Sequence, residues 1–559
     1  MFSDSLYYTN VLKTIFYFLF SCWLLMNVNS QLFAQTLSKN EKLATLCKAW
    51  GVLKYQHPLV VKGHFDWDKV LIEKIGEVEK VKDLPELRQF YSKWIDELKN
   101  YKPQKKNNVL LPEQKVMFSK WEADSIIYGT NFINEVHEMM LMKRNPEKMF
   151  YVTQAPAGQY LPKNENTYSE MTYPNESFRL LGLFRYWNVI EYFYPIKEDL
   201  NWDASLIKYI PLLIHSKSQI EYYLVLNQLI VEIQDGHAYL HTPFPKMVSD
   251  HLYKYQIPYV TKRFEDFAIV TRLHKGNFDY KLAVGDKIIA VDGIKINDVL
   301  NKIKVLIPVS NEDVLLESAH PLTFSGNTDN FQVTIIRDND TLDVVVKRYL
   351  IEEFHFDDPV KNEVVKIIND SVVYVDPREI GAKEFVKVLK DVKQFKSLII
   401  DMRGYPLIRH HNFTNFISPN ARKFLSLRAP KIDKPGTFFE FDDFTGKKNK
   451  NYYKGNIFVL VNRYTKSASE HTCMAMQAYD NVKIVGTTTS GSDGNVADII
   501  FPGNVETIFS GLNVIYPNGI SAQHAGVKID YKVDITPEDE ITETDKILKE
   551  AIRIANGRL

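Results

Sequence analysis

The chain has 559 residues, 45% of them hydrophobic and 25% charged, enough for more than one globular core. Lys plus Arg and Asp plus Glu both total 69, so no charge excess points to nucleic acid or an anionic membrane surface as partner. The 14 His and three Cys form no ligand-spaced cluster, which argues against a metal site and leaves no cofactor implied. The 33 Phe and 31 Tyr fit either aromatic helix packing or a peptide-binding groove.

In chain order, residues 1–34 read as a secretory signal. Lys13 precedes an apolar run over residues 14–28, and Ala34 offers a cleavage point before Gln35. Export to the periplasm or the extracellular space is therefore expected, with an uncleaved anchor as the alternative. No other stretch is long and apolar enough to span a bilayer, so no membrane span is expected once the signal is removed. The remaining cysteines, Cys47 and Cys473, sit among apolar residues and are expected as buried free thiols.

Residues 35–100 and 177–250 read as two copies of one helical unit. LATLCKAWGVLKYQHP at 43–58 aligns with LLGLFRYWNVIEYFYP at 180–195, placing Trp50 with Trp187, Tyr55 with Tyr192 and Pro58 with Pro195. Apolar positions recur at helical spacing and each helix stops at its proline, so an internal duplication is expected. Only the second copy runs on into Asp235-Gly236-His237. The intervening residues 101–176, with Lys105-Lys106 near one end, read as a linker with short strands and no chemistry.

Residues 251–350 change texture to alternating strands with Gly-Asp and Asp-Gly turns. LAVGDKIIAVDGIKI at 282–296 resembles the β-turn-β element of a bacterial PDZ domain. That resemblance implies a module that captures chain termini by adding a peptide strand to its edge; a generic small β domain is the alternative. Residues 310–327 have no assigned place.

The C-terminal 351–559 carry the chemistry. SLIIDMRGYP at 397–406 is a buried strand ending in a charged, glycine-containing turn. NIFVLVNRYTKSASEHTCMAMQAYDN at 456–481 is a strand, a polar turn and then a helix opened by Ser467-Ala468-Ser469-Glu470. A serine at such a corner exposes its hydroxyl beside the unpaired N–H groups of the first helical turn. It also fits a plain N-cap, with Glu470 closing a capping box.

With KIVG at 483–486, the small-residue loop 487–494 and QHAGVKID at 523–530, these segments resemble the catalytic core of the tail-specific (C-terminal processing) serine proteases. The nearest branch is the tricorn-core-like one that uses a Ser/His pair. The resemblance spans roughly 355–559, and more weakly reaches back to about 179. It implies Ser467 as nucleophile and His237 as general base. The N–H groups of Ala468 and of Gly404 or Tyr405 would form the oxyanion hole. Ser492 stands where better-known members carry a lysine base, so no Ser–Lys dyad is expected. Gln523 aligns with the glutamate of the Ser/His branch, and Gly236 with a serine of tricorn. Either Gln523 supports the pair or another acid does, with Asp235, Glu470 and Asp493 as candidates.

The expected architecture is α+β and multidomain: a helical N-terminal region, a PDZ-like β domain, and a mixed β/α core resembling the crotonase-like fold. The expected function is an exported serine endopeptidase acting on unfolded or C-terminal segments of polypeptides. The alternative is a catalytically weak or inactive binding protein on the same scaffold, carrying peptides or apolar ligands as the interphotoreceptor retinoid-binding proteins do.

Overall fold

A computed structural model describes residues 37–99, 101, 120–355 and 363–557. The expected signal at 1–34 and the Lys105-Lys106 stretch lie outside these residues. Among the described residues no helix is long and apolar enough to cross a membrane.

Two 18-residue helices, Lys39–Gln56 and Glu176–Phe193, lead the two helical copies. Each is started by a side-chain cap, Ser38 or Asn175, that accepts an N–H of the first turn. Both are buried on nearly all sides, as befits helices without a polar face. A second helix follows in each copy and opens on a tryptophan: Trp67–Val78 and Trp202–His215. The indole of Trp50 donates to the Trp67 carbonyl at 2.9 Å, and that of Trp67 returns the bond to the Trp50 carbonyl at 3.1 Å. Trp187 and Trp202 form the same reciprocal pair at 3.1 and 3.0 Å. Buried indole N–H groups need acceptors, and both copies supply them in the same way.

The long helices pack on one another where Gly51 meets Asn188. A Cβ at Gly51 would fall 1.7 Å from Asn188 Oδ1, so only glycine fits. The Asn188 amide donates to the carbonyls of Cys47 and Phe184. Cys47 and Cys473 are both buried and free.

Third helices, Leu84–Leu98 and Gln219–Val231, complete the copies. After the second, Gln234 turns the chain with a φ of 49°. The chain then passes through Asp235-Gly236-His237 into a two-residue strand, Leu240–His241. This strand pairs with Val505–Ser510 of the C-terminal region, which docks the helical region onto the core.

Residues 259–347 include a small antiparallel sheet. Its main strands lie in the order Asp340–Lys347, Asn330–Arg337, Lys287–Val291, Ala268–Leu273, Tyr259–Arg263. Val270, Ile288, Val333 and Ile335 are in its core. Residues 310–327 hold two short helices, Glu312–Ser318 and His320–Phe324.

The C-terminal core is built on a six-stranded sheet. Val372–Val375, Ser397–Asp401, Asn456–Val461 and Val482–Gly486 run parallel at its centre. Ser397–Asp401 is buried at every position and Asn456–Val461 at all but its first, as expected of strands covered on both faces. Helices Ala382–Asp391, His410–Ile417 and Ala468–Gln477 pack on one face and Lys546–Ala555 on the other. Asp401 lies beside Leu460, and Val461 beside Gly486. The turns that follow these strands therefore leave the sheet at its carboxyl edge, where open parallel sheets place their sites.

Candidate active site

The strand Asn456–Val461 delivers Ser467 to the start of helix Ala468–Gln477 through a pinned turn. Thr465 Oγ1 donates to the Met402 carbonyl at 2.8 Å and Ser469 Oγ to the same atom at 2.9 Å. These bonds clamp the turn after Asp401 against the helix start. Ser467 itself has φ 54° and ψ −120°, a conformation that glycine takes freely and other residues hold only when their surroundings enforce it. Its N–H donates to the Ser492 carbonyl at 3.0 Å and to Glu470 Oε2 at 3.3 Å. The bond from its N–H to Glu470 closes a capping box at the helix start.

Glu470, 1% exposed, lies under this corner. Its carboxylate accepts Thr489 Oγ1 at 2.5 Å, Gly491 N–H at 2.7 Å and Ser492 N–H at 3.0 Å, besides the N–H of Ser467. Burial lifts it to about 7. Glu470 therefore ties the 489–492 loop to the Ser467 backbone.

His237 stands 6% exposed at the end of the second helical copy. Its Nδ1 lies 2.9 Å from Ser510 Oγ, while Nε2 is buried with no hydrogen-bond partner. Ser467 Oγ and His237 Nε2 are thus not hydrogen-bonded to each other, although both residues line one cleft. Burial lowers the imidazole's pKa; Asp235 acts against that shift, Lys466 reinforces it and Asp493 opposes it. Lys466 Nζ also donates to the Gly236 carbonyl at 2.7 Å, fastening the turn before His237 to the residue before Ser467.

The cleft encloses about 1440 Å³. Leu427, Phe439 and Phe441 supply apolar wall, and His410, His471 and Asp493 a polar one. His471 Nδ1 lies 3.1 Å from Asp493 Oδ2; burial opposes its protonation, but that carboxylate prevails and raises its pKa. Residues 154–158, from the stretch read as a linker without chemistry, close another side. They form the turn of a hairpin between Val152–Gln154 and Tyr160–Pro162.

The expected oxyanion donors are at the same place. Tyr405 and Ala468 line the cleft, and no hydrogen bond among the described residues uses their N–H groups. Gly404 precedes Tyr405 and packs against Arg378, whose Cδ would lie 2.7 Å from a Cβ there. The turn is anchored by Arg403, which forks onto Asp401 and onto Asp545 Oδ1 and Oδ2 at 2.7 and 2.8 Å.

Gln523 is placed differently from the pair. Its Nε2 donates to Ser310 Oγ at 3.2 Å, and its Oε1 is buried without a partner. Ser310 Oγ in turn accepts the Gly236 N–H at 2.8 Å and meets Ser492 Oγ at 2.8 Å. This network ends at the backbone beside His237 and does not reach the ring. Ser492 is fully buried and outside the cleft lining. Ser510, which does touch the ring, carries no motif in the sequence; its strand pairing with Leu240–His241 would have been the only signal. Among the described residues, no group of three or more His, Cys, Asp or Glu could hold a metal ion.

Residues 371–533 match the family described as Peptidase family S41. The chain carries an S41 peptidase domain. The matched span holds Ser467, the 404–405 turn and Ser510, whereas Asp235 and His237 come to this domain from the helical region. No curated protein matches the chain. Among solved structures, mature CPAF complexed with lactacystin is 14% identical with a TM-score of 0.53, covering 68% of this chain and 99% of that one. Mature CPAF alone gives 14% and 0.54, covering 68% and 98%. A putative peptidase from Parabacteroides merdae is 16% identical over 68% of this chain and 97% of its own, with a TM-score of 0.43. The CPAF structures share the fold of this chain, which is multidomain and α+β.

Proposed function

We propose that this chain is a serine endopeptidase in which Ser467 is the nucleophile and His237 the general base. The observation that carries the reading is the buried, unpartnered Nε2 of His237, a residue that lines the same cleft as Ser467. A peptide carbonyl placed against the helix start would draw the two together, since hydrogen bonds between catalytic groups tighten on substrate binding. Ser467 Oγ bonds to the carbonyl carbon as its proton passes to Nε2. The charge on the carbonyl oxygen is met by the N–H groups of Ala468 and of Tyr405 or Gly404. The proton on Nε2 then goes to the amine as the C–N bond breaks. Water, deprotonated by the same nitrogen, releases the acyl group as a carboxylate.

The polar groups of the cleft support a peptidase over a carrier of apolar ligands. Export by the 1–34 signal and capture of chain ends by a PDZ-like 251–350 domain belong to the same proposal. The test is labelling with a fluorophosphonate followed by peptide mapping. Modification at Ser467 that is lost in Ser467→Ala and His237→Ala is expected; a folded protein that takes no label would end the reading.

A further inference from the structure

We infer that Asp235 and Ser510 together orient His237, as a hydroxyl-bridged acid that takes over the support the Gln523 position does not give. This rests on the Ser467–His237 reading above. The direct separation between His237 Nδ1 and Asp235 Oδ1 is 3.7 Å, too long for a hydrogen bond. Ser510 Oγ fills that gap, 2.9 Å from Nδ1 and 3.0 Å from Asp235 Oδ1.

The direction of these bonds follows from proton counting. Asp235 also accepts the N–H of His237 at 2.9 Å and that of Ser510 at 2.5 Å. A carboxylate only accepts, and a serine hydroxyl has one proton to give. Ser510 therefore donates to Asp235 and accepts from Nδ1–H. The ring is thereby held in the tautomer whose lone pair is on Nε2, the nitrogen that lies bare. This is the tautomer a general base needs.

Burial makes the arrangement stiff. Asp235 and Ser510 are both 0% exposed. The carboxylate bonds the histidine's own N–H and the last residue of Val505–Ser510, so one side chain sets both the backbone and the ring of the base. Gln523 offers an amide without charge and spends it on Ser310. The charged groups that face His237 are Asp235, Lys466 and Asp493.

Two measurements test this. Long-range proton–nitrogen spectra of histidine-labelled protein, with His237→Gln to assign the signal, report the tautomer without any need for activity. Nδ1–H is expected in the wild type and is expected to be lost in Ser510→Ala; an Nε2–H ring in the wild type overturns the inference. In parallel, fluorophosphonate labelling should slow on the order of 10²-fold or more in Ser510→Ala and stay within about tenfold in Ser510→Thr, which keeps the hydroxyl. In Asp235→Asn the pH midpoint of labelling should move down, because a carboxylate that favours the imidazolium is gone. Labelling of Ser510→Ala at the wild-type rate also overturns it. If the wild type takes no label yet shows the Nδ1–H ring that Ser510→Ala loses, the peptidase reading fails and the bridge stands.

Discussion

Gly236 and Ser492 are packed so closely that a Cβ on the glycine would fall 2.2 Å from the serine Oγ and 3.3 Å from its Cβ. The glycine between Asp235 and His237 is thus fixed by the loop behind Ser467. Ser492 cannot swing away freely, being tied to Ser310 and Ser490. Gly236→Ala should cost about 1–3 kcal/mol of stability, the usual range for overpacking. Ser492→Gly in the same chain should recover most of that cost. Thermal melting of the two single variants and the double variant measures the coupling.

At Ser467 the backbone and the side chain ask for different residues. The φ of 54° suits glycine, while the hydroxyl is needed for the proposed chemistry. Strain of this kind is typically worth about 1–3 kcal/mol. Ser467→Gly should melt higher than Ser467→Ala by a margin of that order, and both should fail to take a fluorophosphonate. Equal melting of the two variants would show that the corner holds no strain.

Glu470 gives a pH dependence with a definite sign. Its pKa is raised by burial to about 7, above the ordinary 4.5. The folded state therefore holds this proton more tightly than the unfolded chain does. The stability so gained is complete below about 4.5 and is lost as pH rises through about 7. Denaturant titrations between these limits should show a falling stability that Glu470→Gln flattens. That variant should also cost about 1–3 kcal/mol, because its NH₂ would face N–H donors in place of an acceptor.

Arg403 should matter to reactivity without touching the cleft. It joins Asp401, at the end of its strand, to Asp545, at the start of helix Lys546–Ala555. Its two forks fix the backbone that leads into Gly404 and Tyr405. Lysine keeps the charge but cannot fork. Arg403→Lys should slow labelling of Ser467 by about tenfold or more, as expected when an oxyanion donor is displaced, with a smaller change in melting temperature. A variant that labels at the wild-type rate would show that this turn does not hold the oxyanion.

The strand–turn–helix around Ser467 was legible because everything that shapes it is local: an apolar run, a polar turn and a helix opened by small residues. The two pairs of tryptophan-bearing helices were legible for a related reason. Trp50 and Trp187 each bond a second tryptophan within their own copy, so the repeat preserves the contact along with the spacing. Ser510 was not legible. It ends an ordinary alternating strand and meets His237 only because Leu240–His241 pairs with Thr507 and Glu506 of that strand, a contact between distant parts of the chain. The alignment of Gln523 identified a position in the family pattern, whereas its bond to Ser310 comes from a distant segment of the chain. Gly236 leaves that side of His237 to Ser310 and Ser492. The hairpin at 152–162 was unreadable as part of the cleft because its turn, Ala155-Pro156-Ala157-Gly158-Gln159, is short and built of small, turn-forming residues, like any surface connection.

The seam between Leu240–His241 and Val505–Ser510 has a consequence for when the chain could first cut anything. The serine and the imidazole are encoded far apart; Lys466, the neighbour of one, reaches Gly236, the neighbour of the other, across 230 positions of sequence. Neither region alone owns both groups. A chain still emerging in synthesis, or one clipped and separated between them, would be a blunt instrument. On the proposed reading, the ability to hydrolyse would arrive only once this seam has closed, so that assembly itself acts as the safety catch.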